Sequence, residues 1–138
     1  GRACWMFGGG NKRDKKFIAA IIGQMKQPEI KVVTKRLGSP TYGKDLAEAI
    51  KQMILNNKKG VFHMSNSGNP SRVDIAKEII KITRSKTKLI EVDPSFFSHA
   101  YADQKENNEG MRSKVKITRP WQEALREYVQ DEWKSYIN

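Results

Sequence analysis

The sequence predicts an α/β protein with parallel strand pairing, and three observations carry the prediction. Runs of β-branched residues stop at turns rich in glycine or proline; each is followed by apolar residues at helical spacing; and the alternation of strand and helix repeats, which right-handed crossovers turn into parallel pairing. The 138 residues suit one domain, long enough to bury a core.

The elements follow in order. Ala3 to Phe7 reads as a first strand, and Phe17, Ile18, Ile21, Ile22 and Met25 recur on one face of a helix from about Asp14 to Gln27 that Pro28 stops. A second strand, Ile30 to Thr34, runs into the Gly38-Ser39-Pro40-Thr41 turn. Leu46, Ala49, Ile50 and Met53 then mark an amphipathic helix from about Gly43 to Asn56, and Val61 to Met64 a third strand. Ser71 with Asp74 forms a capping box for a helix to about Thr83, followed by a short strand from Lys88 to Val92. The stretch from Pro94 to Gly110 is polar and irregular, and Pro120 opens a closing helix whose Trp121, Leu125, Tyr128 and Val129 share a face.

Composition narrows the function. The net charge of +11 suits anionic ligands, yet the lysines and arginines are scattered and no aromatic-basic recognition motif is visible, which argues against nucleic acid. No apolar run is long enough to span a membrane, and Gly1 to Gly10 lacks the pattern of a signal peptide. The single cysteine, Cys4, excludes an internal disulfide framework and fits a reducing, cytoplasmic setting. With only His63 and His99 and no ligand spacing, no metal site is expected.

Several motifs are more particular than their periodicity. Gly38-Ser39-Pro40-Thr41-Tyr42 with Asp45-Leu46-Ala47 resembles the G-[ST]-P-T-Y-x-x-D-[LF]-A segment of dTDP-4-dehydrorhamnose reductases, which are extended short-chain dehydrogenases. Arg2 to Gly8 is similar to the family's R-x-x-W-[MVL]-[FY]-G strand, and Lys15 to Ile18 to the segment after it. Gly60 to Asn66 with Pro70-Ser71-Arg72, and Arg119 to Tyr128, resemble its G-x-[YF]-H strand with the S-R helix start and its C-terminal R-x-W-x-x-A-L-x-x-Y helix. The order matches across nearly the whole chain.

The resemblance implies the C-terminal part of a Rossmann-like parallel sheet with helical crossovers, plus a small substrate-binding α/β subdomain. The family's G-x-x-G-x-x-G dinucleotide turn does not occur here, because Gly8 to Gly10 lacks the second spaced glycine. Its catalytic Tyr-x-x-x-Lys would fall before residue 1, so the chain reads as the substrate-binding half of an enzyme whose dinucleotide-binding half lies elsewhere. That missing half, or a second copy meeting an exposed sheet edge, is the expected protein partner. NADPH or NADH would be held mainly by the other half, with Ala3, Cys4 and Trp5 contributing from this one.

By the same resemblance, the nucleotide-sugar substrate would meet Trp5, Phe7, Lys16, Phe17, Arg36, Gly38, Ser39, Pro40, Thr41, Tyr42 and Lys105. A nucleoside diphosphate joined to a 4-keto sugar needs cations and amides for the diphosphate and aromatic faces for base and sugar. Lys16 stands where many relatives carry asparagine. Gln104-Lys105-Glu106 stands where they carry an Arg-Pro pair, which exchanges a fork for a point charge. Trp5 also suits a core position, His63 a structural one, and Asp45 a helix start. Tyr101 and Lys105 share the Tyr-x-x-x-Lys spacing, but they come after every recognisable strand and are not read as catalytic. The chain alone is expected to be inactive. A non-catalytic binder of nucleotide sugars is the alternative function.

Overall fold

The computed structural model describes residues 5–34, 37–93, 108–109 and 119–137. The elements are β1 (Met6–Phe7), α1 (Gly10–Arg13), α2 (Phe17–Ile22), β2 (Glu29–Val33), β3 (Leu37–Gly38), β4 (Thr41–Tyr42) and α3 (Gly43–Leu55), then α4 (Arg72–Thr83), β5 (Lys88–Val92), β6 (Asn108–Glu109), α5 (Trp121–Glu132) and α6 (Lys134–Ile137). Among the described residues, every ladder is parallel: β1 pairs with β4, β2 with β5 and β3 with β6. The β2–β5 ladder runs from Glu29 opposite Lys88 to Val33 opposite Val92.

The main core forms where α2, α4 and α5 meet β1, β2 and β4. Ile22, Ile30, Ile75, Ile79, Leu125, Tyr128 and Val129 are fully enclosed there, each such side chain contributing about 1.5–3 kcal/mol. Helix α4 forms as its sequence dictates. The Ser71 hydroxyl accepts from the Asp74 amide at 3.0 Å while the Asp74 carboxylate accepts from the Ser71 amide at 3.0 Å, and Val73, Ile75, Ala76 and Ile79 face inward. Pro120 caps α5, whose Trp121, Ala124, Leu125, Tyr128 and Val129 pack at helical spacing.

Four sequence expectations need correction. The helix expected from Asp14 to Gln27 shrinks to α2, Phe17–Ile22, because Asp14 itself is extended and its carboxylate binds the amides of Gly8 and Lys16 instead of continuing a helix. It ends at Gly23, although Met25 beyond it stays buried. Trp5 leaves the first strand with a φ of 44°, while Ala3 and Cys4 lie outside the described residues. Among the described residues, Val61 to Met64 joins no ladder, and His63 sits in an isolated bridge. The Gly-Ser-Pro-Thr turn holds two short strands, β3 and β4, on either side of Ser39 and Pro40. Arg36, Lys105 and the Tyr101–Lys105 pair lie outside the described residues.

Candidate functional site

The parallel register of β1 and β4 sets Phe7 opposite Tyr42, so two aromatic residues distant in sequence become neighbours. Their rings stack with centroids 5.2 Å apart and planes 2° from parallel, and Tyr128 from α5 tilts against both at 5.2 and 5.5 Å. Phe7 and Tyr42 floor a cleft of about 290 Å³ whose walls include Arg13, Lys16, Lys44 and Glu132. Both aromatic residues are only 3% exposed, so what the cleft presents is chiefly its charged rim.

The glycine loop closes one end of that cleft. Gly8, Gly9 and Gly10 all have positive φ, at 145°, 93° and 63°, and a Cβ on Gly10 would sit 2.8 Å from the Glu132 carbonyl oxygen. Only glycine suits such a path. The loop's amides are used within the chain: Gly8 N–H donates to Asp14 Oδ2 at 3.2 Å and Gly9 N–H to Glu132 Oε1 at 3.0 Å. Tyr128 Oη donates to Asp14 Oδ2 at 2.7 Å, and Tyr42 Oη makes a short bond to Glu132 Oε2. Burial, and after it the bond to Glu132, raises the Tyr42 phenol far above its ordinary range. Burial likewise raises Tyr128, with the Asp14 bond acting in the same direction. Both phenols therefore stay protonated and serve as fixed donors, ill matched to proton transfer near neutral pH.

A second cluster lies behind the loop. The Trp5 indole rests on Gly38 so closely that a Cβ there would fall 2.2 Å from the ring, which is the physical reason for glycine at this motif position. The Arg72 guanidinium lies over Phe17 at 4.7 Å and over Trp5 at 5.6 Å. Trp5 and Phe17 are half-buried and Lys16 is exposed. Arg72, at the start of α4, has no role in the sequence reading. Its only signal was the Ser-Arg pair after Pro70.

The Thr41 loop is held from three directions. Thr41 N–H donates to the Trp5 carbonyl at 3.2 Å, Gly38 N–H to the Pro70 carbonyl at 3.1 Å, and Tyr42 N–H to Asn66 Oδ1 at 2.8 Å. The Thr41 hydroxyl donates to the Ser39 carbonyl at 3.2 Å. Ser39, Pro40 and Thr41 are buried, the Thr41 hydroxyl and amide bond within the chain, and of this motif only Tyr42 lines the cleft. Asn66 Nδ2 donates to Asp45 Oδ2 at 2.7 Å. Arg119 clasps the same carboxylate in a fork, with Nε to Oδ2 at 3.0 Å and Nη2 to Oδ1 at 2.9 Å. Arg119 Nη1 also reaches Glu127 at 3.2 Å, where Lys44 adds a further pair at 3.1 Å. The hydrogen bonds to Asp45 and then Glu127 raise the Arg119 guanidinium's already high pKa, and Glu127 is lowered by its bonds to Arg119 and then Lys44. This lock ties the start of α3 to the start of α5.

The resemblance implies a nicotinamide cofactor, whose pyrophosphate needs free backbone amides at a helix start. The amides of Gly8 and Gly9 already bind carboxylates, and α1 is a single turn, so this loop does not fit a pyrophosphate. Among the described residues, no cluster of three or more His, Cys, Asp or Glu could hold a metal ion, and no helix is long and apolar enough to cross a membrane.

Parallel strands joined by helices, with a cleft beside the turn into α3, define an α/β protein with a Rossmann-like fold. The chain belongs to the family described as the RmlD substrate binding domain, which matches residues 1–133. It is 32% identical to the spore coat polysaccharide biosynthesis protein SpsK of Bacillus subtilis, over 94% of this chain and 46% of that protein. A crystal structure of a dTDP-4-dehydrorhamnose reductase from Clostridium acetobutylicum superposes with a TM-score of 0.80 at 29% identity, covering 94% of this chain and 46% of that one. The Bacillus anthracis dTDP-4-dehydrorhamnose reductase in complex with NADP gives 0.78 at 26% identity, covering 92% and 45%. The chain thus spans just under half the length of these relatives.

Proposed function

We propose that this chain forms the nucleotide-sugar-binding portion of an NAD(P)H-dependent reductase acting on a 4-keto dTDP sugar, with dTDP-4-dehydrorhamnose as the substrate. The observation that carries the reading is the cleft whose floor is the Phe7–Tyr42 stack and whose rim holds Arg13, Lys16 and Lys44. Its two acidic neighbours are each engaged by internal donors, Asp14 by Gly8, Lys16 and Tyr128, and Glu132 by Gly9 and Tyr42. Lys44 pairs with Glu127, and the charges of Arg13 and Lys16 are those the cleft offers to an anion.

Each proposed site residue then takes a role. Lys16 pairs with the diphosphate as a point charge, while Trp5 and Phe17 offer half-buried faces to sugar or base, and Trp5 also borders the cofactor side. Gly38, Ser39, Pro40, Thr41 and Tyr42 shape the wall. Ala3 and Cys4 on the cofactor side, and Arg36 and Lys105 on the substrate side, belong to the same proposal. The nicotinamide supplies a hydride when bound. No step of the reduction is assigned to this chain's residues, and the reading places the protein in the soluble cytoplasm.

Calorimetry or ligand-observed NMR with dTDP-rhamnose tests the reading. Binding should exceed that of thymidine and should weaken about tenfold in Lys16→Ala, as expected for loss of a charge-assisted contact worth about 1.4 kcal/mol. Failure to bind any dTDP sugar at millimolar concentration overturns it, as would tighter, steeply salt-dependent binding to mixed-sequence DNA. The chain by itself should not oxidise NADPH in the presence of a 4-keto sugar nucleotide.

A further inference from the structure

Four segments converge behind the glycine loop: Trp5 before β1, Phe17 at the start of α2, Gly38 in β3, and Pro70 to Arg72 leading into α4. Trp5 has a φ of 44°, in the left-handed region that a bulky side chain occupies only when its surroundings hold it there. The Trp5 carbonyl accepts from the Thr41 amide at 3.2 Å, and the indole fills the space that a side chain on Gly38 would need. Gly38 is fixed in turn. Its amide donates to the Pro70 carbonyl at 3.1 Å, and the neighbouring Leu37 bridges to Ser71. The backbone under the indole is thereby tied to the backbone that carries Arg72.

Arg72 breaks a local rule. It is the first residue of α4, where the positive end of the helix dipole disfavours a cation. The capping box there uses Ser71 and Asp74 and asks nothing of Arg72. Two aromatic faces favour it instead: the centre of the guanidinium lies 4.7 Å from the Phe17 ring centroid and 5.6 Å from that of Trp5, both within the range of cation–π attraction. A planar guanidinium can lie flat on a ring, which a lysine ammonium cannot do.

We infer that Arg72 is a positioning residue for the sugar-nucleotide wall: laid over Phe17 and Trp5, it holds the indole in its strained backbone conformation against Gly38. The two rings then present fixed, half-buried faces to a ligand. The inference rests on the reductase reading, which assigns those rings to sugar or base, and adds the residue that sets them. Arg72 acts through the rings. A ring already held in place binds more tightly than a mobile one, because less side-chain freedom is lost when the ligand arrives.

The test is a double-mutant cycle with two readouts. Affinity for dTDP-rhamnose is measured by calorimetry in the parent chain, Arg72→Met, Trp5→Ala and the double variant. Amide hydrogen exchange is followed at Thr41, whose N–H donates to the Trp5 carbonyl, and at Tyr42, whose N–H donates to the Asn66 side chain and serves as the control. Arg72→Met should weaken binding about tenfold and speed Thr41 exchange about tenfold, with Tyr42 unchanged. In the Trp5→Ala background the same change should cost no further affinity, since an effect that passes through one residue is not additive with its loss. Arg72→Lys should restore less than half of the lost binding free energy, and full restoration overturns the role given to the planar group. The Arg72→Met melting temperature should move by less than about 4 °C, because α4 keeps its cap and sheds a disfavoured charge. A larger fall makes Arg72 a structural residue and overturns the inference. Equal loss of affinity in both backgrounds overturns it too, by making Arg72 a ligand contact in its own right, and so does unchanged Thr41 exchange. If the parent chain binds no dTDP sugar, the proposed function fails while Thr41 exchange still decides whether Arg72 holds Trp5.

Discussion

Helices α3 and α4 are nearly equal in length and both amphipathic, yet they are held by opposite means. Helix α4 is held by its face: Val73, Ile75, Ala76 and Ile79 lie in the main core, with Ala76 and Ile79 at 0% exposure. Helix α3 is held by its first turn, where Asp45 is gripped by the Arg119 fork and by Asn66, while most of its apolar stripe faces outward. Periodicity reports that a face exists. What covers that face depends on the rest of the fold.

The contrast predicts opposite orders of sensitivity. Ile79→Ala should cost the most, about 2–5 kcal/mol in urea unfolding, because it opens a cavity in a close-packed core. A loss below 1 kcal/mol would show that α4 is not held by its face. Asp45→Ala should follow at about 1.5–3 kcal/mol, since the Arg119 fork and the Asn66 amide both lose a charged acceptor. Arg119→Lys should recover only part of that stability, because an ammonium cannot reproduce the two-point grip. Full recovery would reduce the lock to simple charge attraction.

Ser71→Ala removes one arm of the α4 capping box and should cost about 1 kcal/mol, less than Ile79→Ala in the same helix. In α3 the order reverses, with Ile54→Ala costing under about 0.5 kcal/mol as an exposed substitution. A larger loss in the chain alone would mean that the stripe is already covered.

The smallest effect is acidic. Glu127 is held below its ordinary value by Arg119 and Lys44, so its contribution is present above the unfolded value of about 4.3 and is lost as pH falls through the folded value. With Lys44 at 66% exposure the pair is screened, and Glu127→Gln should flatten the stability curve below pH 4 by no more than a few tenths of a kcal/mol. At the other extreme, stability should fall above about pH 10, where unfolded tyrosines ionise while the phenols of Tyr42 and Tyr128 resist it in the fold.

Much of this could be seen in the sequence because it is local. The α4 capping box spans Ser71 to Asp74, α5 opens at Pro120, and α3 begins after Tyr42, all set by neighbours within one turn. The Gly-Ser-Pro-Thr-Tyr motif marked a turn of which Tyr42 lines the cleft. It did not reveal that the loop's amides and the Thr41 hydroxyl bond within the chain, or that Gly38 is required by the Trp5 ring. The long helix expected from Asp14 failed because the Asp14 carboxylate found partners in the glycine loop and in Tyr128, the latter 114 residues away.

From its residues alone the chain specified helix starts, strand-forming runs, its family motifs and its basic balance, because these depend on short-range sterics, hydrogen bonds and composition. Tertiary structure alone decided that Phe7 stacks on Tyr42, that Arg72 lies over Phe17 and Trp5, and that Arg119 clasps Asp45 across 74 residues. It also decided which of two similar amphipathic helices is covered. Those outcomes turn on which distant surfaces meet, and apolar burial rewards any close-fitting partner without naming it in advance.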